Sequence, residues 1–223
     1  MLAWLATAGC SNLPEENGVA QLEVIHPGPV EVGQTITLRA RALDARGDSV
    51  AATITWTTPD TTVILTPDGQ LTGRTGGTTA RVQAQAGSLA SDFVTVTVIP
   101  RPDTLVIAGD SVLAVAAGVT ASAPLLASLR SFQPAGPLAG RTITYTVTAP
   151  VFGDPSQRTV ELTGGGLTLA AVTGADGTPS PPVTLDRVAG QTAPDSAIVT
   201  VAATTATGAA VPGSGQRFIV RFQ

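Results

Sequence analysis

The chain has 223 residues, of which 43% are hydrophobic and only 13% are charged, with 24 glycines and 17 prolines. This composition excludes a disordered chain and is typical of a globular protein rich in strands and turns. The net charge is −4 and all 12 basic residues are arginines spread along the chain, which argues against nucleic acid as a partner.

The N-terminal segment 1–9 is uncharged, mostly apolar and too short to span a bilayer. It ends in small residues directly before Cys10, the only cysteine, so no intrachain disulfide can form. The polar, proline-containing stretch 11–18 follows, and we expect a flexible tether there.

This start resembles a bacterial lipoprotein signal, which implies cleavage before Cys10, a diacylglycerol on its thiol, and a membrane as partner through that anchor. The match departs from the usual pattern at Thr7, where leucine is expected, and no basic residue precedes the apolar run. The alternative is a small buried cysteine in an ordinary N-terminal segment. We expect a signal segment over 1–9 and a tether over 10–18.

Alternating apolar residues predict the strands of the first half. In segment 34–44, Ile36, Leu38, Ala40 and Ala42 share one face, and Trp56 is expected in a core. The strands are predicted at 21–25, 34–44, 53–57, 63–65, 70–72, 79–86 and 92–99.

A near-repeat links the two halves of the chain. Residues 47–56 return as residues 136–145, and in each copy a turn of small residues leads into Thr-Ile-Thr followed by Trp56 or Tyr145. The pattern predicts two copies of one all-β module.

The first half resembles the bacterial immunoglobulin-like group 2 family. The likeness is carried by segments 32–38, 54–58, 67–73, 77–82 and 94–98. It implies a small β-sandwich over 19–99, of a type found in surface proteins, and it assigns no catalytic residue.

Pro100 and Pro102 mark the boundary between the halves, because two closely spaced prolines favour an extended joint; we expect a linker over 100–103. In the last predicted strand, Phe218, Val220 and Phe222 form one face that closes a second core. Strands are predicted at 104–107, 112–116, 120–129, 142–148, 159–162, 167–172, 183–186, 197–203 and 218–222.

Segments 136–140, 173–177 and 196–201 make the second half similar to the invasin and intimin type of bacterial immunoglobulin-like domain, lengthened at 149–166 and 179–182. The predicted fold class is therefore all-β, with two tandem immunoglobulin-like β-sandwiches, the second over 104–223.

Few residues carry catalytic chemistry. His26 is the only histidine and lies before Pro27, and no nucleophile-elbow motif accompanies it, which disfavours a triad. One histidine and one cysteine are too few for a zinc site. Aromatic residues amount to 4%, so broad carbohydrate recognition is not supported.

Carboxylates are the remaining candidates for chemistry. Pairs of acids can hydrolyse glycosides or bind calcium, whereas single aspartates in turns cap the backbone, and the spacing favours the second interpretation. The acids in question are Asp44, Asp48, Asp60, Asp68, Asp176, Asp186 and Asp195. We expect no cofactor and no metal.

Arg46, Gly47 and Asp48, followed by Ser49, spell an integrin-recognition motif at a predicted hairpin turn, where it would be exposed. Such a motif also arises by chance in a chain rich in Gly and Asp, and turn chemistry alone accounts for Gly and Asp here.

The sequence therefore predicts a non-catalytic, lipid-anchored protein of the bacterial cell envelope, at the outer membrane or cell surface, whose modules act as spacers or adhesion domains. The alternative is a secreted accessory module that binds a protein or polysaccharide for an envelope assembly or extracellular enzyme. A third hypothesis is an enzyme with a carboxylate pair, which requires two acids about 5–10 Å apart in a cleft.

Overall fold

The computed structural model describes residues 18–223. Its regular structure is β, apart from one 3₁₀ turn at Pro155–Gln157. The chain divides into two compact units. Over the described residues, the first comprises 18–30, 35–74 and 78–97, and the second comprises 31–34, 75–77 and 98–223.

Short strands alternate with turns throughout both units, as the frequent Gly and Pro residues require. The strands before Pro100 are β1 Gln21–Ile25, β2 Val30–Glu31, β3 Thr35–Thr37, β4 Arg39–Leu43, β5 Ser49–Val50, β6 Thr55–Thr57, β7 Val63–Leu65, β8 Gln70–Gly73, β9 Thr78–Ala86, β10 Leu89–Ala90 and β11 Val94–Ile99. The later strands are β12 Thr104–Ile107, β13 Val112–Val115, β14 Ala127–Phe132, β15 Ala135–Pro137, β16 Thr142–Ala149, β17 Val160–Leu162, β18 Thr168–Val172, β19 Leu185–Arg187, β20 Ser196–Ala202 and β21 Arg217–Phe222.

The strands before Pro100 form three sheets. Their orders are β1-β4-β5, β3-β8-β7 and β10-β9-β11-β2, with β6 pairing β9. Trp56 is buried as predicted, and its indole lies against the backbone of Gly69 in the β7–β8 turn. Leu71, Val82 and Val96 are fully buried with it, and each such side chain stabilises the fold by about 1.5–3 kcal/mol.

The predicted strand 34–44 is wrong as one strand. It divides at Leu38 into β3, which pairs β8, and β4, which pairs β1 in a different sheet. The Leu38 N–H donates to the Gly69 carbonyl at 2.8 Å. The alternation of buried and exposed residues continues through the switch, which is why the sequence pattern does not reveal it.

The second unit is built on a five-stranded sheet in the order β13-β21-β20-β16-β18. β13 and β21 are parallel, whereas the other neighbours are antiparallel. The run β21-β20-β16-β18 has the G-F-C-C′ order of an immunoglobulin-like sheet. Smaller sheets, β12-β14-β15 and β17-β19, complete the unit. The predicted class, all-β with two immunoglobulin-like sandwiches, is confirmed.

Tyr145 on β16 fills the centre of the second core. It is fully buried, and its hydroxyl donates to the Leu125 carbonyl at 3.0 Å, so its polar end is satisfied. Burial raises the pKa of the Tyr145 phenol. Phe218 and Val220 are also fully buried, and Phe222 packs partly buried against them, as the alternation in the last strand predicts.

The predicted strand 120–129 is wrong in its first part, because β14 begins only at Ala127. Pro124 interrupts the pattern by removing a backbone donor, and Ser122 and Leu125 instead donate to the carbonyls of Leu185 and Val183. β15 follows at Ala135–Pro137, in a segment predicted to be a turn.

The free edge of β18 is partly covered by the chain that follows it. The Ser180 N–H donates to the Val172 carbonyl at 2.9 Å, and Thr173 forms a β-bridge with Pro179. Pro181 and Pro182 come next and have no N–H to donate.

Candidate functional site

The loop between β4 and β5 carries the predicted recognition motif. Its shape depends on Asp44, whose carboxylate Oδ1 accepts the backbone N–H groups of Arg46 at 2.8 Å and Asp48 at 2.9 Å. Gly47 donates to the Asp44 carbonyl at 3.0 Å and has φ +86°, a conformation that favours glycine. The loop is therefore fixed by backbone bonds and one carboxylate cap.

The two charged side chains of the motif are directed to solvent. Arg46, Gly47 and Asp48 are all exposed, and Asp48 closes the loop through its backbone N–H and C=O. Within residues 18–223 the structure shows no ion pair or hydrogen bond for the Arg46 guanidinium or the Asp48 carboxylate.

His26 is exposed and lies beside β1. Its Nδ1 is 2.9 Å from the carbonyl oxygen of Pro27, to which it can donate. The structure thus gives this histidine a local backbone partner.

Asp60 supports the backbone of the first unit. Its carboxylate accepts the Arg81 backbone N–H at 2.7 Å and lies 3.0 Å from Arg81 Nη2, and the Arg81 guanidinium lies over the Phe93 ring at 5.8 Å. These hydrogen bonds from Arg81 hold the pKa of Asp60 below its ordinary value. Asp68 is exposed at the tip of the β7–β8 turn.

Two acids of the second unit, Asp154 and Asp176, cap turns. Asp176 accepts the N–H and hydroxyl of Thr178 at 3.0 and 2.7 Å, which lowers the pKa of Asp176. Asp154 accepts the Ser156 N–H at 2.8 Å, and its pKa is lowered too. Asp186 accepts the Thr184 hydroxyl, and Asp195 is exposed beside β20.

Asp103 is a nearly buried acid that the sequence analysis does not identify. Its Oδ1 lies 2.7 Å from Arg101 Nη2, and its Oδ2 accepts the Phe132 N–H at 2.7 Å and the Ser131 hydroxyl at 3.4 Å. Burial raises the pKa of Asp103, but these hydrogen bonds and the Arg101 charge outweigh it, so the net pKa lies below the ordinary value. The Arg-Pro-Asp spacing is a signal that could have found this pair.

Glu31 is the most buried charged group of the second unit, with 2% of its surface exposed. Its Oε1 lies 2.7 Å from Arg141 Nη1 without hydrogen-bond alignment, and its Oε2 accepts the Ala206 N–H at 2.8 Å. Arg141 Nη2 also donates to the Pro100 carbonyl at 2.5 Å. Glu31 and Arg141 are far apart in the chain, and no local pattern in the sequence indicates that they meet.

Cys10 and the segments 1–9 and 11–17 lie outside the described residues. Within the described part, no helix is long and apolar enough to cross a bilayer. No group of three or more His, Cys, Asp or Glu side chains in that part is placed to hold a metal ion.

No protein-family profile and no curated protein matches the chain. Solved structures that resemble it include domains 4 and 5 of the S-layer protein SbsC, at 20% identity and TM-score 0.33 over 92% of this chain and 98% of that one. The Yersinia pseudotuberculosis adhesin InvE is 16% identical, with TM-score 0.44 over 91% of this chain and 58% of that one. The D00-D0 domain of intimin is 16% identical, with TM-score 0.31 over 88% and 98%.

The chain spans 28% of a longer SbsC structure. The likeness to these structures assigns no role to any residue of this chain.

Proposed function

We propose that the chain is a non-catalytic, lipid-anchored protein of a bacterial cell envelope, whose two immunoglobulin-like units, the first of the group 2 type, act as spacer or adhesion modules. The lipid is attached at Cys10, and the segment 10–18 tethers the units to the outer membrane or cell surface.

The proposal that the protein is not an enzyme is supported by the structural roles of its aspartates. Asp60, Asp103, Asp154 and Asp176 accept backbone hydrogen bonds, and the pKa of each lies below its ordinary value. A carboxylic acid that donates a proton in glycoside hydrolysis needs the opposite shift. These four groups are held ionised in structural roles.

The anchor rests on the residues around Cys10. An uncharged apolar segment and small residues precede this cysteine, and a polar stretch follows it. Two acyl chains, at about 0.8 kcal/mol per buried methylene, would hold the protein stably at a membrane.

The test is the intact mass of the product in a bacterial host together with protease digestion of whole cells, for wild type beside Cys10→Ala. We expect the wild type to be cleaved before Cys10 and to carry a diacylglycerol mass, and its units to be shaved from intact cells. Cys10→Ala should give an unacylated chain that is no longer held in the membrane fraction.

An unmodified Cys10 in the wild type would contradict the anchor. A soluble product that is retained with a stable partner in pull-downs would favour the secreted accessory module instead. The exposed aromatic rings of Phe93 and Phe132, with 51% and 66% of their surface exposed, offer such a partner apolar contacts.

A further inference from the structure

We propose that the 44–48 loop is a recognition site for a protein receptor that offers a bound divalent cation to the Asp48 carboxylate and an acidic pocket to the Arg46 guanidinium. The proposal rests on the adhesion function proposed above and gives it a site and a class of partner.

Turn chemistry explains Asp44 and Gly47 but not the side chains of Arg46 and Asp48. Asp44 caps the backbone, and Gly47 supplies the left-handed conformation. Asp48 contributes its backbone alone, and Arg46 only its N–H. The fold would close this loop equally well with other side chains at positions 46 and 48.

The loop also keeps its opposite charges apart. Arg46 and Asp48 are two residues apart, yet they form no ion pair with each other in the described structure. The chain turns at Gly47 between them, and both backbone N–H groups are held by the single Asp44 oxygen. A rigid loop that displays one cation and one anion separately loses little conformational entropy when it binds.

The charges define the chemistry of the partner. A free carboxylate is a preferred ligand of Ca²⁺, Mg²⁺ and related hard cations, and an exposed guanidinium binds carboxylates through paired hydrogen bonds. A receptor with a metal ion on one side and an acidic pocket on the other matches both groups at once. This is the receptor chemistry that the integrin-type motif implies.

The test measures binding of the full chain to a recombinant integrin ectodomain that recognises Arg-Gly-Asp, in buffer with manganese. We compare wild type with Asp48→Glu, which keeps the charge and the backbone bonds but moves the carboxylate outward. We expect wild-type binding to be lost on addition of a chelator, and to be weakened about tenfold or more by Asp48→Glu.

Asp68→Glu is the matched control, because Asp68 is an exposed aspartate in another hairpin turn of the same unit. Its binding should equal that of wild type. Both variants should unfold at the wild-type urea concentration, which shows that the fold is kept. Equal binding by wild type and Asp48→Glu, binding that survives the chelator, or no binding by wild type would each overturn the proposal.

Asp44 acts in this proposal as a positioning residue. Asp44→Ala should weaken receptor binding severalfold by loosening the loop, and Asp44→Asn should restore it, because an amide oxygen can accept the same two N–H groups. Failure of Asn to restore binding would contradict this role.

The receptor assay uses purified chain and is independent of the anchor. If the purified chain binds the receptor but the cellular chain is neither acylated nor exposed on the surface, the envelope proposal is wrong and the loop proposal stands. If the chain is displayed on the surface but shows no cation-dependent binding, the loop proposal is wrong and the envelope proposal stands.

Discussion

Two Arg-x-Asp segments, one in each unit, show opposite uses of the same charges. In the first unit Arg46 and Asp48 flank Gly47, are exposed, and form no ion pair with any residue in 18–223. In the second unit Arg101 and Asp103 pair at 2.7 Å. Charge and spacing alone therefore do not decide whether two side chains meet.

The residue between the charges accounts for the difference. Pro102 fixes its own φ and disfavours a helical conformation at Arg101, and in an extended chain residues two apart project to the same side. Gly47, at φ +86°, turns the chain and separates its neighbours. Backbone conformation decides which of the two pairs of charges meets.

We expect the largest loss of stability when the buried Glu31–Arg141 ion pair is broken, and a small one when an exposed loop charge is removed. Arg141→Met leaves the Glu31 carboxylate buried without its cation, and we expect a loss of about 3–5 kcal/mol in the free energy of unfolding. Urea unfolding measures it, with Arg46→Met as control at about 0.5 kcal/mol or less. Similar losses of unfolding free energy in Arg141→Met and Arg46→Met would show that the buried pair stabilises the fold no more than the exposed arginine does.

Asp103→Ala tests the paired segment directly. It removes the acceptor of the Phe132 N–H and the partner of Arg101, and we expect a loss of about 2 kcal/mol in urea unfolding. Asp48→Ala, at the corresponding position of the loop, should cost about 0.5 kcal/mol or less. If Asp48→Ala cost as much as Asp103→Ala, the Asp48 side chain would have a structural role.

Gly47→Ala should destabilise the first unit by about 1 kcal/mol, because alanine is strained at a φ of +86°. Open space surrounds the position, so the cost comes from the backbone and not from a clash. Gly28→Ala is the control, since its surroundings are equally open and its φ is not left-handed. An unchanged unfolding midpoint in Gly47→Ala would contradict the loop geometry.

Acid should weaken the contribution of the Arg101–Asp103 pair to stability. The folded-state pKa of Asp103 lies below the ordinary value of 3.8, so its contribution is complete above that pH and is lost as the pH falls through the folded pKa. Asp60, Asp154 and Asp176 act in the same direction. We expect the free energy of unfolding to fall below about pH 4, and to fall less steeply in Asp103→Ala than in the wild type.

Alternation in the sequence predicted the fold class and the cores, because each strand has one buried face. It correctly placed Trp56, Phe218 and Val220 inside. It could not show that the chain changes sheets at Leu38, since a change of pairing partner leaves the alternation intact. The start of β14 at Ala127 depended on long-range hydrogen bonds that no local pattern records.

The loop was located from sequence, but the roles of its residues were not. Asp44 and Asp48 both suit a turn by composition, and only the hydrogen bonds show that Asp44 is the cap. The Glu31–Arg141 pair depends on a tertiary contact between distant segments and could not be predicted. The acylation of Cys10 stays a prediction.

The covered edge of β18 bears on how copies of the protein behave at high local concentration. Molecules displayed side by side meet their own copies at high local concentration, where an open strand could recruit a second strand and merge neighbours into aggregates. Ser180 occupies the end of that edge, and the two prolines after it offer no further donors. At the β18 edge, closely spaced copies of the protein can therefore remain separate without exchanging or adding strands.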